Sequence, residues 1–451
     1  MASADPAGVA GRHALVCGYG VAGRSAADAL IAAGADVAVT VDGILRAATA
    51  VVSLGSLDHV PDGFDLVVAS PGFAPTHPVL ADAVARGIEV WGEVELAWRL
   101  RGPDAAPWLA LTGTNGKTTT VHMLESMLRA AGLRALAVGN VGESVIDAVL
   151  NGPANDVLAV ELSSQQLHFA ASIRPAAGAL LNLAPDHLGW HGSLEAYELA
   201  KTGVWAGPVA IANGDDPRVQ ALAPAGAVPF TLGAPPRGGF GVADGALVSS
   251  AFGDDRAVLA QVSEVRPAGR HNVANALAAA ALARAYGLPA DGVAKGLRAF
   301  VPDPHRNQFV LTHQNVTWVD DSKATNPHAA SASLHAYPRV VWVAGGQLKG
   351  VSIDALVAEV ADRLVAVVLL GQDREQVASA LSRHAPDVPV ISVDSTDDGA
   401  MTEVVCAAAG FARPGDTVLL APAAASYDMY SGFGARGDAF ATAVRALVES
   451  S

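Results

Sequence analysis

The sequence predicts an α/β protein of three domains, each built on a largely parallel sheet with helices against it. Three observations carry that prediction. Short apolar runs alternate with stretches of helical periodicity along most of the chain. Two of those runs, near residues 18 and 113, end in glycine turns that lead straight into a helix. The length of 451 residues corresponds to about three domains at roughly 150 residues each.

Composition narrows the function classes. A net charge of −15 repels nucleic acid and anionic membrane surfaces, so neither is an expected partner. Cys17 and Cys406 stand far apart and predict free thiols, not a disulfide framework. The apolar share of 51% is rich in alanine, and charge-free stretches such as 220–236 are broken by Gly and Pro, so no membrane span is expected. The opening Met-Ala-Ser-Ala-Asp-Pro lacks a basic segment leading into an apolar one, which predicts a cytoplasmic chain.

Taken in order, 13–17 reads as a strand and Gly18-Tyr19-Gly20-Val21-Ala22-Gly23 as G-x-G-x-x-G. A helix over 25–33 ends at Gly34, and a second strand over 37–41 carries Asp42 at its end. This is the first half of a Rossmann-like domain. The motif admits a nicotinamide dinucleotide with Asp42 on a ribose, or any diphosphate held at the helix N-terminus. A strand over 66–69 then runs into Ser70-Pro71-Gly72, a rigid turn that points donors into the crevice at the sheet's carboxyl edge. A helix over 93–101 stops at Gly102-Pro103, which bounds a first domain of residues 1–106.

The central domain is predicted over 107–302 as a P-loop ATPase-type parallel sheet. A strand over 108–111 leads into Gly113-Thr114-Asn115-Gly116-Lys117-Thr118-Thr119, and Val121, Leu124, Met127 and Leu128 follow at helical spacing. Backbone N–H groups of such a loop cradle phosphate, Lys117 reaches the terminal phosphates, and the Thr118 hydroxyl suits Mg²⁺. The spacing is tighter than the general Walker pattern, because residue 111 is Leu. ATP is the expected ligand.

Further strands, over 157–160 and 179–183, deliver Glu161-Leu-Ser163-Ser164 and Asp186-His187. A carboxylate at such a strand end can hold Mg²⁺ directly or through water, whereas an N-cap or a salt bridge is its bland alternative. His187 taken alone is more readily a satisfied or exposed histidine. A helix over 195–205 carries Lys201, and Gly269–Asn275 opens an alanine-rich helix with Asn272 and Asn275 on one face. The third domain, 303–451, is predicted as a Rossmann-like doubly wound sheet. Its strands at 316–319, 340–344, 366–370 and 417–421 each end in small or polar loops.

Five of these pieces in one order resemble the Mur ligase family: Gly113–Thr118, Glu161–Ser164, Asp186-His187, Gly269–Asn275 and Asp321-Ser-Lys323-Ala-Thr325-Asn326. The resemblance runs over the whole chain and implies three roles. The first domain binds a UDP-sugar, the second ATP, and the third an incoming amino acid. Gly18, Tyr19, Gly20 and Val21 would then cradle a UDP diphosphate, helped by Ser70, Pro71 and Gly72, with Thr40 or Asp42 toward the nucleoside. The implied reaction transfers the ATP γ-phosphoryl group to a carboxylate, and an amine then attacks the acyl phosphate. The implied substrates are UDP-N-acetylmuramoyl-L-alanine and D-glutamate, with ATP and two Mg²⁺ ions, in a cytoplasmic monomer.

The resemblance also assigns residues. Lys117, Glu161, His187 and Lys201 would be catalytic. Thr118 and Glu161 would hold one Mg²⁺, and His187 with Lys201 the other. A lysine ammonium cannot ligate Mg²⁺, so the family's answer, a carbamylated lysine, is carried onto Lys201. Asn140 would meet the substrate near its reacting carboxylate, and Ser163 would be a further substrate-binding residue. Asn272, Asn275, Arg306, His313, Asp321 and Lys323 would surround ATP. Thr325, Lys349, Ser426 and Phe433 would receive D-glutamate, and His187 would also touch it. Gln165 and Gln308 depart from residues common among relatives. Asp215-Asp-Pro-Arg218 resembles the signature of diaminopimelate-adding relatives, but it lies in the central domain. Two alternatives remain: another member of the superfamily with a different acceptor, and a nonenzymatic UDP-sugar- or NAD-binding protein.

Overall fold

The computed structural model describes residues 8–41, 52–150, 154–397 and 399–449. Asp42 lies outside them. The chain forms two compact units, one through Glu264 with Ala274–Phe300, the other Val265–Val273 with everything from Val301 onward.

The first unit holds two sheets. The smaller is wholly parallel, in the order Val52–Ser53, Asp36–Thr40, His13–Cys17, Leu66–Ala69, Glu89–Gly92. Strand order therefore reverses between His13–Cys17 and Leu66–Ala69, which opens a crevice at their carboxyl ends. The helix that follows the first glycine turn spans Val21–Ala32, starting four residues earlier than predicted.

The larger sheet has nine strands. Six form its parallel body: Val228–Phe230, Ala210–Asn213, Ala177–Leu180, Trp108–Thr112, Val157–Glu161 and Ala135–Gly139. Phe240–Ala243, Ala246–Ser249 and Ala257–Gln261 extend one edge, the last two by antiparallel pairing. Trp108–Thr112, every residue of it buried, lies between two parallel neighbours and delivers the phosphate loop to the middle of the sheet's carboxyl edge. The helix Ala290–Ala299 packs on Lys117–Ala130 through Gly296, where a Cβ would lie 2.2 Å from the Met127 Cα.

The predicted strand over 179–183 is instead Ala177–Leu180. It stops there because Asn182 turns to bind the phosphate loop. The predicted helix over 195–205 is Leu194–Thr202 followed by a 3₁₀ turn, Gly203–Trp205.

The second unit holds a six-stranded sheet in the order Gln308–His313, Val316–Asp320, Thr417–Leu420, Val340–Gly345, Leu364–Leu370, Val390–Ser392. The first pair is an antiparallel hairpin, and the others are parallel. Trp342 and the aliphatic residues of Val340–Gly345 fill its centre, and Phe433–Glu449 packs Phe440 and Val444 against one face. No helix among the described residues is long and apolar enough to cross a membrane.

Candidate active site

At the crevice of the smaller sheet, Gly18, Gly20, Val21, Ala22, Ser70, Pro71, Gly72, Phe73 and His77 line a cleft of 420 Å³. Gly18 has φ +91°, and a Cβ there would lie 2.9 Å from the Ser70 Oγ. A Cβ on Gly23 would lie 1.9 Å from the Gly18 carbonyl oxygen, so helix and turn touch backbone to backbone. Six of the residues expected here thus converge. Tyr19 does not line the cleft but packs against the core. Thr40 is buried, and its hydroxyl donates to the Gly55 carbonyl at 2.6 Å.

The phosphate loop is held from below and from both sides. The Asn115 N–H donates to the Asn182 Oδ1 at 2.8 Å, and the Asn182 amide returns a bond to the Asn115 carbonyl at 3.0 Å. Thr114 is buried, with its Oγ1 2.8 Å from the Tyr197 hydroxyl and accepting from the Ala184 N–H at 2.9 Å. Gly116, at φ +80°, sits so close under Asn275 that a Cβ would lie 2.3 Å from its Oδ1. Thr118 and Thr119 follow in the first turn of Lys117–Ala130.

Two lysines meet on this loop. Lys117 donates to the Gly113 and Thr114 carbonyls, both at 3.0 Å. Lys201 donates to the same Gly113 carbonyl at 2.8 Å and to the Thr112 Oγ1 at 3.3 Å. Lys201 is 2% exposed. Burial first, and the Lys117 charge second, push its pKa well below the usual lysine range.

Glu161 pairs in register with Leu111, one strand across from the start of the loop. It is buried, and its Oε1 accepts from the Asn140 amide at 2.8 Å. Its Oε2 is buried with no hydrogen-bond partner. An orphaned carboxylate oxygen beside a phosphate loop is the donor a hard cation lacks there, so the residues present fit Mg²⁺. No three His, Cys, Asp or Glu side chains converge on a metal position among the described residues. Such an ion would draw on Glu161, the Thr118 hydroxyl, phosphate oxygens and water, which is Mg²⁺-like coordination.

His187 has φ +50° and caps the short helix Leu188–His191. It is exposed, with Nε2 3.5 Å from Asp186. Ser163 caps the helix Ser164–His168 in a capping box with Gln166. Asp215-Asp-Pro-Arg218 is occupied by local structure: Asp216 caps Pro217–Leu222 and accepts from the Leu183 N–H, and Arg218 pairs with Glu198.

In the second unit, three strand ends are tied together. The Ser322 hydroxyl donates to the Phe433 carbonyl at 2.8 Å, and Lys323 stands 4.0 Å from the centre of the Phe433 ring. Ala423 N–H bonds the Ala324 carbonyl at 2.9 Å, and Gln347 and Ala425 exchange backbone bonds at 2.8 and 2.9 Å. This brings the loops bearing Lys323, Thr325, Lys349, Ser426 and Phe433 to one edge. Asp321 is buried, accepting from the Asn307 N–H at 3.0 Å and from the Ser333 hydroxyl, and burial pushes its pKa up to about 6. Arg306 pairs with Asp303 at 3.2 Å.

His313 does not join this edge. It pairs with Val316, whereas Asp320 pairs with Gln308, so a strand length separates His313 from Asp321. The reason is the antiparallel hairpin, which the sequence reading did not foresee. Asn272 belongs to the second unit and Asn275 to the first, and both are buried.

Several site-building residues were not foreseen. Asn182 and Tyr197 brace the phosphate loop. His191 bonds Ser164 through Nε2 at 3.0 Å, and burial with nearby His168, His187 and Lys201 lowers its pKa to about 4. Arg436 is buried, donating to both the hydroxyl and the carbonyl of Ser322 and to the Ala424 carbonyl. Only the density of polar residues after strand ends signalled any of them.

Two family models match the chain. Residues 111–283 match the Mur ligase middle domain, and 305–424 match the glutamate ligase domain of Mur ligases. The chain is 52% identical to the UDP-N-acetylmuramoylalanine--D-glutamate ligase of Streptomyces avermitilis, over 97% of this chain and 98% of the relative. It is 54% identical to the ligase of the same name from Thermobifida fusca, over 97% and 99%. Among solved structures, a pseudomurein peptide ligase type C from Methanothermus fervidus aligns with TM-score 0.60 and 20% identity, covering 97% of this chain and 100% of that one. The MurF ligase of Thermotoga maritima, solved with ADP, aligns with TM-score 0.57 and 19% identity over 98% and 96%. These two share the three-domain α/β fold. With family models over the middle and C-terminal domains and half of all positions identical over nearly the full length, this chain belongs to the Mur ligase family.

Proposed function

We propose that this protein is the ATP-dependent ligase that joins D-glutamate to UDP-N-acetylmuramoyl-L-alanine in peptidoglycan precursor synthesis. One observation carries the chemistry: the unpartnered, buried Glu161 Oε2 lies beside a phosphate loop whose Gly113 carbonyl receives two lysines. A binding protein for a UDP-sugar or NAD has no use for that arrangement. The identity to ligases named for D-glutamate supports the choice of acceptor.

Residues 1–106 bind the UDP-sugar, 107–302 bind ATP, and 303–451 bind the amino acid. Gly113–Thr119 hold the ATP phosphates, Asn275 lies over the loop, and Lys117 moves from its loop carbonyls to the γ-phosphate. Transfer between two anions needs charge neutralisation and in-line positioning more than covalent help. Thr118 and Glu161 would hold a Mg²⁺, which would supply part of that neutralisation. Asn140 holds Glu161 in place while presenting the rest of its side chain to the substrate carboxylate. The γ-phosphoryl group passes to that carboxylate, the D-glutamate amine attacks the acyl phosphate, and the tetrahedral intermediate collapses to an amide and phosphate.

Lys201, as a carbamate, and His187 would hold a second ion. Only a neutral amine adds CO₂, and the depressed pKa of Lys201 favours that form. Lys349, Thr325, Ser426 and Phe433 receive the D-glutamate side chain, since an ammonium and hydroxyls complement a carboxylate. Arg306, Asp321, Lys323 and Asn272 are assigned to ATP, and His313, at the far end of the hairpin, is not. The reading is of a cytoplasmic monomer, in keeping with nucleotide substrates and with site residues assigned on a single chain.

The test is phosphate release from ATP with UDP-N-acetylmuramoyl-L-alanine and, in turn, D-glutamate, L-glutamate, L-lysine or meso-diaminopimelate. Turnover with D-glutamate alone is expected. Turnover with a diamino acid would overturn the roles of Lys349 and Ser426. Bicarbonate depletion is expected to lower the rate, and full activity of Lys201→Ala would overturn the carbamate.

A further inference from the structure

We propose that Trp190 is a positioning residue for the sugar-nucleotide cleft, and that the short helix carrying it builds that cleft and His187 on one strut. The inference rests on the reading of the cleft as the UDP-sugar site. The Trp190 Nε1–H donates to the Pro71 carbonyl at 3.1 Å. Pro71 lines the cleft, and a proline offers no backbone N–H, so this carbonyl is its one backbone hydrogen-bonding group. A side chain from the helix Leu188–His191 therefore fastens the turn that closes the crevice of the smaller sheet.

The fastening is braced at both ends. The Trp190 ring meets His168 and Phe169 edge-on, with centroids 5.3 and 5.9 Å away. The Phe169 carbonyl accepts from the Gly92 N–H at 3.0 Å, at the end of another strand of the smaller sheet. A Cβ on Gly92 would lie 3.0 Å from the Phe169 Cβ, so glycine permits this approach. The backbone N–H groups of Trp190 and His191 donate to the His187 carbonyl at 3.0 and 3.1 Å. His191 in turn reaches the Ser164 Oγ at 3.0 Å, at the start of the helix Ser164–His168 that follows Glu161. A displacement of the Pro71 turn is thus transmitted through Trp190 to His187, and from His191 to the segment after Glu161.

Trp190 contacts the Pro71 turn directly, whereas its route to the ATP phosphate loop runs through the rings of His191 and Tyr197 to Thr114, and that difference in distance makes the role measurable. Trp190→Phe keeps an aromatic ring and removes only the donor. The KM for UDP-N-acetylmuramoyl-L-alanine is expected to rise about three- to tenfold, the size of one lost hydrogen bond, with the KM for ATP changed less than about twofold. His191→Leu, which releases Ser164, is expected to lower kcat more than either KM, while His191→Gln, which can still bond Ser164, recovers most of the rate. Calorimetric titration of UDP into wild type and Trp190→Phe, without ATP, reads the cleft independently of turnover. Weaker UDP binding in the variant supports the role, even if the wild type proves inactive with this sugar substrate, an outcome that would instead overturn the proposed function. Equal UDP binding, or a parallel rise in both KM values, overturns the positioning role. Trp190→Tyr provides the same comparison should the phenylalanine variant fail to fold.

Discussion

Lys117 and Lys201, 84 residues apart in sequence, donate to a single oxygen, the Gly113 carbonyl, at 3.0 and 2.8 Å. Charge on both amines would set two cations on one neutral acceptor, and burial together with the Lys117 charge disfavours the charged form of Lys201. The arrangement costs stability and is therefore a sign of function.

Lys201→Met tests that cost. Its side chain fills the same space without charge, so the variant is expected to fold as stably as wild type or more so at pH 7, while phosphate release falls at least a hundredfold. The sign follows from the depressed folded pKa of Lys201. Wild-type stability from this group is fully present above the unfolded lysine value of about 10.4 and is lost as pH falls through the folded pKa. Urea unfolding from pH 7 to 10 should show the gap between variant and wild type narrowing as pH rises.

Glu161→Gln keeps an acceptor for Asn140 and removes the negative charge behind the orphaned oxygen. The expectation is a fold unchanged by circular dichroism, a kcat lower by about two orders of magnitude, and at least a tenfold higher Mg²⁺ requirement, in line with an electrostatic role at phosphoryl transfer. A Mg²⁺ titration of ATP turnover identical to wild type would remove Glu161 from the metal site.

Asp321, with its pKa raised to about 6 by burial, predicts a stability that depends on mild acid. A raised folded pKa means that the protonated form suits the fold. Its contribution is present below the unfolded value near 3.9 and is lost as pH rises through 6, by about 3 kcal/mol in all. Asp321→Asn should flatten that slope between pH 4 and 6 in denaturant titrations. A slope that persists in the variant would assign it to another group.

Glycines of the first turn separate fold from binding. Gly23→Ala puts a methyl 1.9 Å from the Gly18 carbonyl, and unfolding free energy should drop by about 3 kcal/mol or more. Gly20→Ala meets nothing within 4 Å. It should leave stability within about 0.5 kcal/mol of wild type, so any loss of UDP binding, read by calorimetry, reports close approach of the ligand itself.

The sequence by itself determined the class, the three sheets and the loops that carry chemistry. Strands such as Trp108–Thr112 and Val340–Gly345 are buried on both faces, so they appear as unbroken apolar runs, and the glycine turns after them are local signals. It left out Glu89–Gly92 and Ala135–Gly139, which are buried over only part of their length, and the antiparallel strands over 240–261, whose pairing depends on distant partners. Tertiary structure alone decided what surrounds each chemical group. It buried Lys201 against Gly113, left one oxygen of Glu161 without a partner and set Trp190 against Pro71. It also sent His313 to the far end of a hairpin from Asp321. Burial and register are properties of neighbours far along the chain, and local periodicity carries no record of them.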